Sequence, residues 1–135
     1  MPRSSIATPE RGSAVVPRTA CAGADAENAS LVVATGELDI ATVTHVDQAL
    51  RRAETDAGLV VLDLRALEFI DSTGAHLVLA AARRIRQAGG RLVVVRGGEQ
   101  VEWFLALIGI DAELEFVDWP SVARAAPALR ERVPA

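Results

Sequence analysis

Short apolar runs alternate with stretches of helical spacing from residue 30 onward, and this alternation limits the fold more than any other feature. Four runs are β-like: 31–35, 59–64, 91–95 and 114–117. Apolar residues between and after them recur at intervals of three and four, the spacing of one helix face. Three helices follow from this spacing, about 43–53, 75–85 and 101–108, and a fourth is expected from Pro120 to about residue 132. The sequence therefore predicts an α/β fold with crossover connections. The continuous apolar runs at 59–64 and 91–95 favour central strands covered on both faces.

The length of 135 residues fits one domain with a real core and is too short for two. Residues 1–12 are rich in Ser, Pro and Arg without periodicity, so we predict a disordered tail there and a single domain over 13–135. Residues 14–16 are expected to form at most a short edge strand, because Pro17 would interrupt a central one.

Composition argues against several classes of protein. Half of the residues are apolar and 24% are charged, as in a globular chain. No run approaches the roughly eighteen uncharged apolar residues of a membrane span, and the N-terminus lacks the apolar core of a signal peptide. A net charge of −4 argues against general nucleic-acid binding. We expect a cytoplasmic protein.

The supply of metal ligands is also poor. A single cysteine, Cys21, rules out an internal disulfide and suits a reducing compartment. His45 and His76 lie far apart in the sequence and could not complete a cysteine metal site. We expect no metal and no cofactor, and both histidines at the surface.

Asp71-Ser72-Thr73-Gly74 lies between the run 59–64 and a helix that the apolar spacing starts near Ala75. A helix N-terminus carries free N–H groups and partial positive charge, so it tolerates an anion. Either Asp71 or Ser72 caps the helix while Gly74 permits a tight turn, or Ser72 presents its hydroxyl to a kinase. Phosphate would add about −1.5 to −2 charge and disrupt a surface that recognises the neutral hydroxyl. The four residues alone leave both interpretations open.

No complete catalytic set accompanies this motif. An aspartic protease needs Asp-Thr/Ser-Gly and two carboxylates that share a proton, but one residue too many separates Asp71 from Gly74 and no second copy exists. A serine hydrolase needs a Gly-x-Ser-x-Gly elbow, which is absent, and His76 lies too close to Ser72 along one helix. The residues therefore do not indicate an enzyme.

A second motif, Gly36-Glu37-Leu38-Asp39, follows the run 31–35. In one interpretation Gly36 makes a turn and Asp39 or Thr42 caps the next helix. In the other, this loop lies beside Ser72 at the carboxyl edge of parallel strands, where α/β sites gather, and Asp39 shapes a docking surface.

Two tryptophans stand in or near predicted helices, Trp103 in the stretch 101–108 and Trp119 near the last helix. Aromatic residues at helical spacing are mostly core residues, so both are expected in the core or at its edge. The alternative for Trp103 is exposure to a partner.

The order of the motifs carries a resemblance. Gly-Glu-Leu-Asp at 36–39 precedes Val-Leu-Asp-Leu at 61–64 and Phe-Ile-Asp-Ser-Thr-Gly at 69–74, and Ala-Gly-Gly at 88–90 leads into Arg-Leu-Val-Val-Val at 91–95. From about residue 30 to 130 the chain resembles a STAS domain, most closely a bacterial anti-sigma-factor antagonist. His76 departs from the pattern, since the family commonly has an apolar or small residue there.

The resemblance implies an α/β fold with a small mixed β-sheet of four to five strands and about four helices packed mainly on one side. This replaces the two-sided arrangement suggested by the apolar runs. It also implies a non-enzymatic switch that binds an anti-sigma factor with serine kinase activity and is switched off when Ser72 is phosphorylated. A cognate phosphatase would reverse the switch. The implied partner-binding residues are Gly36, Asp39, Thr42, Asp71, Ser72, Thr73, Gly74 and His76.

Two other roles remain as alternatives. Standalone STAS proteins also serve as accessory subunits of lipid-trafficking ABC transporters or as parts of stress-signalling assemblies. An enzyme or nucleotide-binding protein is the third hypothesis, against which a lack of ATP or GTP binding would count.

Overall fold

A computed structural model describes residues 13–15, 29–56 and 58–125. The predicted tail at 1–12 and residues 16–28, 57 and 126–135 of the predicted domain lie outside this range. The described strands are β1 Ser13–Val15, β2 Ala29–Val33, β3 Gly36–Leu38, β4 Leu59–Asp63, β5 Leu67–Ile70, β6 Arg91–Val95 and β7 Phe116–Val117. The described helices are α1 Val43–Asp56, α2 Ser72–Gln87, α3 Glu99–Leu107 and α4 Trp119–Ala125, with a short 3-10 turn over Ile110–Glu113. Among these helices none is both long and apolar enough to span a bilayer.

The strands form one mixed sheet and one separate pair. Five strands stand in the order β1-β2-β4-β6-β7, with β1 antiparallel at the edge and the other neighbours parallel. Short β3 and β5 pair in parallel outside this sheet. The mixed α/β fold implied by the resemblance is confirmed. The predicted runs at 59–64 and 91–95 correspond to the central strands β4 and β6.

Three of the four described helices contribute to one core on one face of the main sheet. There Val60 and Val94 pack with Leu50 of α1, Val78 of α2 and Leu105 of α3. The opposite face carries a second cluster that includes Val122 of α4. The arrangement with helices mainly on one side is confirmed, and α4 is the described exception.

Besides the buried Val122, an aromatic ring stacked on an ion pair holds α4 to the second face. Asp63, at the end of β4, is 1% exposed, and Arg65 binds its two oxygens through Nε and Nη2 at 3.0 and 2.9 Å. The Arg65 guanidinium lies 4.2 Å from the centroid of the Trp119 ring. The first residue of α4 is thereby attached to the end of β4 by a cation–π contact.

Helices α1 and α2 are joined by a two-pronged ion pair. Arg84 of α2 donates from Nε and Nη2 to the Oε1 and Oε2 atoms of Glu54 in α1, at 2.9 and 2.5 Å. The two side chains are only 28% and 20% exposed, and the hydrogen bond to Glu54 raises the pKa of Arg84.

The substitution Glu54→Gln is expected to lower the free energy of unfolding by about 1 kcal/mol, because it removes the charge of a partly buried, bidentate pair. The matched control is Asp47→Asn on the same helix, which breaks the more exposed pair with Arg51. That variant should lose only about 0.3–0.5 kcal/mol. Urea denaturation measures the free energy of unfolding of both variants. Equal losses would contradict the larger contribution of the Glu54–Arg84 pair.

Candidate functional site

The candidate site lies at the carboxyl ends of β3 and β5. Because these strands run in parallel, the loop after β3 and the start of α2 emerge side by side. The Asp71 N–H donates to the Leu38 carbonyl at 3.1 Å. The Ile40 N–H donates to Asp71 Oδ2 at 3.3 Å. The structure thus brings together the two sequence motifs, 36–39 and 71–74.

Asp71 is the N-cap of α2, and Ser72 is its first residue. Asp71 Oδ1 accepts a hydrogen bond from the Gly74 N–H at 2.9 Å. Ser72 is exposed, and its hydroxyl makes no hydrogen bond to any residue in the described ranges. The open choice between Asp71 and Ser72 as the cap is therefore decided in favour of Asp71. The Ser72 hydroxyl is left free at a helix N-terminus.

Gly74 serves close packing rather than a tight turn. It lies inside the first turn of α2 and is not among the glycines with positive φ, so the tight-turn expectation was wrong. A Cβ built at Gly74 would lie 2.6 Å from the carbonyl oxygen and 2.7 Å from Cγ of Leu38. These distances are shorter than any ordinary contact, so only glycine lets α2 begin this close to β3.

Asp39 and Thr42 hold the loop after β3 through hydrogen bonds from its backbone N–H groups. Asp39 Oδ1 accepts from the Ala41 N–H, and Thr42 Oγ1 accepts from the Asp39 N–H, both at 3.0 Å. The bond from Ala41 to Asp39 makes an Asx turn, which precedes α1. Asp39 is only 3% exposed and Thr42 is buried as well. Both side chains therefore shape the loop from inside.

The remaining predicted site residues differ in exposure. Gly36 is buried at the start of β3 and has a φ of +74°, which favours glycine. Thr73 is half-buried, whereas His76 is exposed. His76 Nδ1 lies 2.7 Å from the Ser72 carbonyl oxygen, and because that oxygen only accepts, Nδ1 is the donor. The expectation of surface histidines is confirmed, since His45 is also exposed.

Sequence reasoning missed two apolar side chains beside the motif. Ile40 is 76% exposed in the loop that contacts Asp71. Phe69 is 40% exposed on β5, two residues before Asp71. Residues 67–70 are buried at both ends and exposed between them, so their pattern is too short and too irregular to identify a strand from the sequence. We call Ile40, Phe69, Ser72 and His76 the α2 surface.

The site offers a hydroxyl, exposed apolar groups and one imidazole, but no metal-binding group of side chains. Within the described ranges, no three or more His, Cys, Asp or Glu residues cluster as metal ligands do. The Asp71 carboxylate is engaged at both oxygens by backbone N–H groups. The arrangement thus exposes a hydroxyl, two apolar side chains and an imidazole around a capped helix N-terminus.

Comparison with known proteins agrees with this geometry. The model of the STAS domain matches residues 24–125, so the chain belongs to the STAS domain family. An anti-sigma factor antagonist from Mycobacterium paratuberculosis is 24% identical with a TM-score of 0.61, over 87% of this chain and 94% of that one. The anti-sigma factor antagonist SpoIIAA in its unphosphorylated form is 20% identical with a TM-score of 0.59, over 78% of this chain and 91% of that one.

A second SpoIIAA structure has the same fold. The Bacillus cell fate determinant SpoIIAA in its phosphorylated form is 20% identical with a TM-score of 0.52, over 66% of this chain and 82% of that one. At these identities the similarity establishes the shared fold.

Proposed function

We propose that this chain is an anti-sigma-factor antagonist whose binding to an anti-sigma factor ends when Ser72 is phosphorylated. The observation that carries the proposal is the Ser72 hydroxyl, which is exposed and free because Asp71 has taken the capping role. The similarity to SpoIIAA, solved in an unphosphorylated and a phosphorylated form, supports a STAS domain that accepts phosphate.

The position of Ser72 allows phosphate without loss of the fold. Ser72 is the first residue of a 16-residue helix, where the helix dipole favours negative charge. Its side chain makes no contact that a phosphate would break among the described residues. Phosphorylation therefore changes the surface and leaves the core in place.

The same phosphate would block docking on the α2 surface. Ile40 and Phe69 expose apolar groups in the two elements that lead to Ser72, the loop after β3 and strand β5, and we expect a partner that covers them to cover the hydroxyl as well. A phosphate with about −1.5 to −2 charge would have to be desolvated in that interface, which is costly without a paired cation. The Asp71 carboxylate next to it adds repulsion of like charges.

The proposed switch involves two enzymes that act on Ser72, a kinase and a phosphatase. The anti-sigma factor is a serine kinase that phosphorylates Ser72, and a cognate phosphatase restores the hydroxyl. The chain acts as a binding protein rather than an enzyme, needs no cofactor and makes no direct contact with nucleic acid. It works in the cytoplasm, where sigma factors engage RNA polymerase.

Incubation with the cognate kinase and ATP should phosphorylate the wild-type chain and the Thr73→Ala variant, but not Ser72→Ala. Thr73 is the matched control because it is the neighbouring hydroxyl and is half-buried. Mass spectrometry of the tryptic peptide locates the phosphate. Equal labelling of Ser72→Ala would contradict the assignment of Ser72.

Binding variants separate charge from size at the same position. We expect Ser72→Glu to weaken binding to the anti-sigma factor by about 100-fold or more, as a charge desolvated without a partner costs several kcal/mol. Ser72→Gln, of similar size without the charge, should bind more tightly than Ser72→Glu.

A pull-down with the wild-type chain tests the alternative role. Recovery of an ABC transporter ATPase or a stress-signalling assembly instead of a kinase would favour that role.

A further inference from the structure

A shallow concavity on α3 surrounds an exposed tryptophan. Trp103 is 63% exposed and shares the concavity with Arg96, Glu99, Glu102 and Asp111. The expectation that Trp103 lies in the core or at its edge was wrong. Helix α3 buries Val101 and Leu105, which places Trp103, midway between them in sequence, on the opposite side of the helix.

The carboxylates around Trp103 exceed the cations. Arg96 already donates to Glu102 Oε1 at 2.8 Å and lies 4.3 Å from the centroid of the Phe116 ring. Glu102 Oε2 accepts from the Gly97 N–H at 3.0 Å. Neither Glu99 nor Asp111 forms an ion pair with any other described side chain. The concavity therefore has two carboxylates available to an incoming cation.

Trp119, the other tryptophan of the chain, is an example of an aromatic ring and a carboxylate that hold a guanidinium between them. Trp119 has the Arg65 guanidinium 4.2 Å from its ring centroid, and that guanidinium is held in turn by the carboxylate of Asp63. Trp103 likewise lines one concavity together with carboxylates, those of Glu99, Glu102 and Asp111. In the described part of the chain, however, no guanidinium or ammonium lies over the Trp103 ring. The Trp103 ring and the carboxylates of Glu99 and Asp111 are therefore accessible to a cation of another molecule.

We propose that this concavity binds an arginine side chain of a protein partner. The guanidinium stacks on the Trp103 ring and pairs with Glu99 and Asp111, a combination that suits a planar guanidinium better than an ammonium. Leu107 is 62% exposed one helical turn after Trp103 and contacts an apolar residue of the partner four residues from that arginine. The concavity does not include Ser72, so this contact is expected in both phosphorylation states.

The test uses the full chain and NMR of its two tryptophan indole N–H groups. The probe is a capped peptide with one arginine and one leucine four residues apart, and two further versions replace arginine by lysine or by its neutral analogue citrulline. The arginine peptide should shift the Trp103 signal in a saturable way and leave the Trp119 signal in place. Citrulline should weaken the affinity about tenfold, as expected when a cation–π contact and an ion pair are lost. The lysine peptide should fall between the two.

Paired variants identify the carboxylates. Glu99→Gln combined with Asp111→Asn should reduce the affinity for the arginine peptide about tenfold, whereas the same charge change on α1, Asp47→Asn with Glu54→Gln, should leave it unchanged. The unmoved Trp119 signal reports that each variant is folded. The proposal is overturned by no shift at Trp103, by equal binding of the citrulline peptide, or by equal losses in the two double variants. Because the probe does not involve Ser72, these outcomes are independent of the phosphorylation experiment.

Discussion

Gly74→Ala is expected to lower the free energy of unfolding by about 3 kcal/mol, the upper part of the range for overpacked sites. Alanine normally stabilises a helix by about 1 kcal/mol relative to glycine, so the expected sign is the reverse of the helix propensity. The cause is the Cβ, which would lie 2.6 Å from a backbone carbonyl oxygen and 2.7 Å from Cγ of Leu38. A backbone group cannot rotate away as a flexible side chain does. Urea denaturation followed by circular dichroism measures the loss.

The matched control is Gly58→Ala, at the bend before β4. A Cβ there meets no atom within 4 Å, and Gly58 does not have a positive φ. This variant should be unchanged or more stable by about 0.4–1 kcal/mol, because alanine restricts the unfolded chain. If Gly74→Ala were as stable as Gly58→Ala, this result would contradict the close packing of α2 against β3.

The two glycine sites show what sequence patterns contain and what they omit. The apolar run at 59–64 and the apolar spacing within 75–85 were enough to predict β4 and most of α2. Side chains return to the same face every two residues in a strand and about every 3.6 residues in a helix, so their burial is visible in the sequence. The same patterns could not show that Gly74 touches Leu38. Gly74 and Leu38 are 36 residues apart in the chain, and their contact depends on the parallel pairing of β3 with β5.

The short strands β3 and β5 were missed for a related reason. Each has only three or four residues, and each includes a glutamate, so neither shows a periodic apolar pattern. They pair only because the rest of the fold brings them together. The positions of Ile40 and Phe69 on the α2 surface follow from this pairing and could not be predicted without it.

The two tryptophans, similar by sequence, also differ in the fold. Trp119 is half-buried against Arg65, whereas Trp103 is 63% exposed. The helix pattern placed both near apolar residues but did not establish which side of a nine-residue helix faces the sheet. Two buried positions, Val101 and Leu105, decide the orientation of α3 once the sheet is in place.

Asp71→Ala is expected to lower the free energy of unfolding by about 2 kcal/mol, because Asp71 accepts two hydrogen bonds in different parts of the fold. Its Oδ1 caps α2 at the Gly74 N–H, and its Oδ2 accepts from the Ile40 N–H in the loop after β3. Loss of an N-cap costs about 1 kcal/mol, and loss of a hydrogen bond to a charged acceptor costs at least as much. Amide hydrogen exchange should show faster exchange at both Gly74 and Ile40.

Asp71→Asn separates these two effects and links the structure to the proposed switch. Asparagine caps a helix as well as aspartate does, but its side chain has one acceptor oxygen where aspartate has two, so its NH2 group would face the Ile40 N–H. The Gly74 amide should therefore remain protected while the Ile40 amide exchanges faster, at a cost of about 1 kcal/mol. If Ile40 helps to form the docking surface, this variant binds the anti-sigma factor more weakly although α2 and the Ser72 hydroxyl are intact. Unchanged exchange at Ile40 would show that Asp71 does not hold the loop beside Ser72.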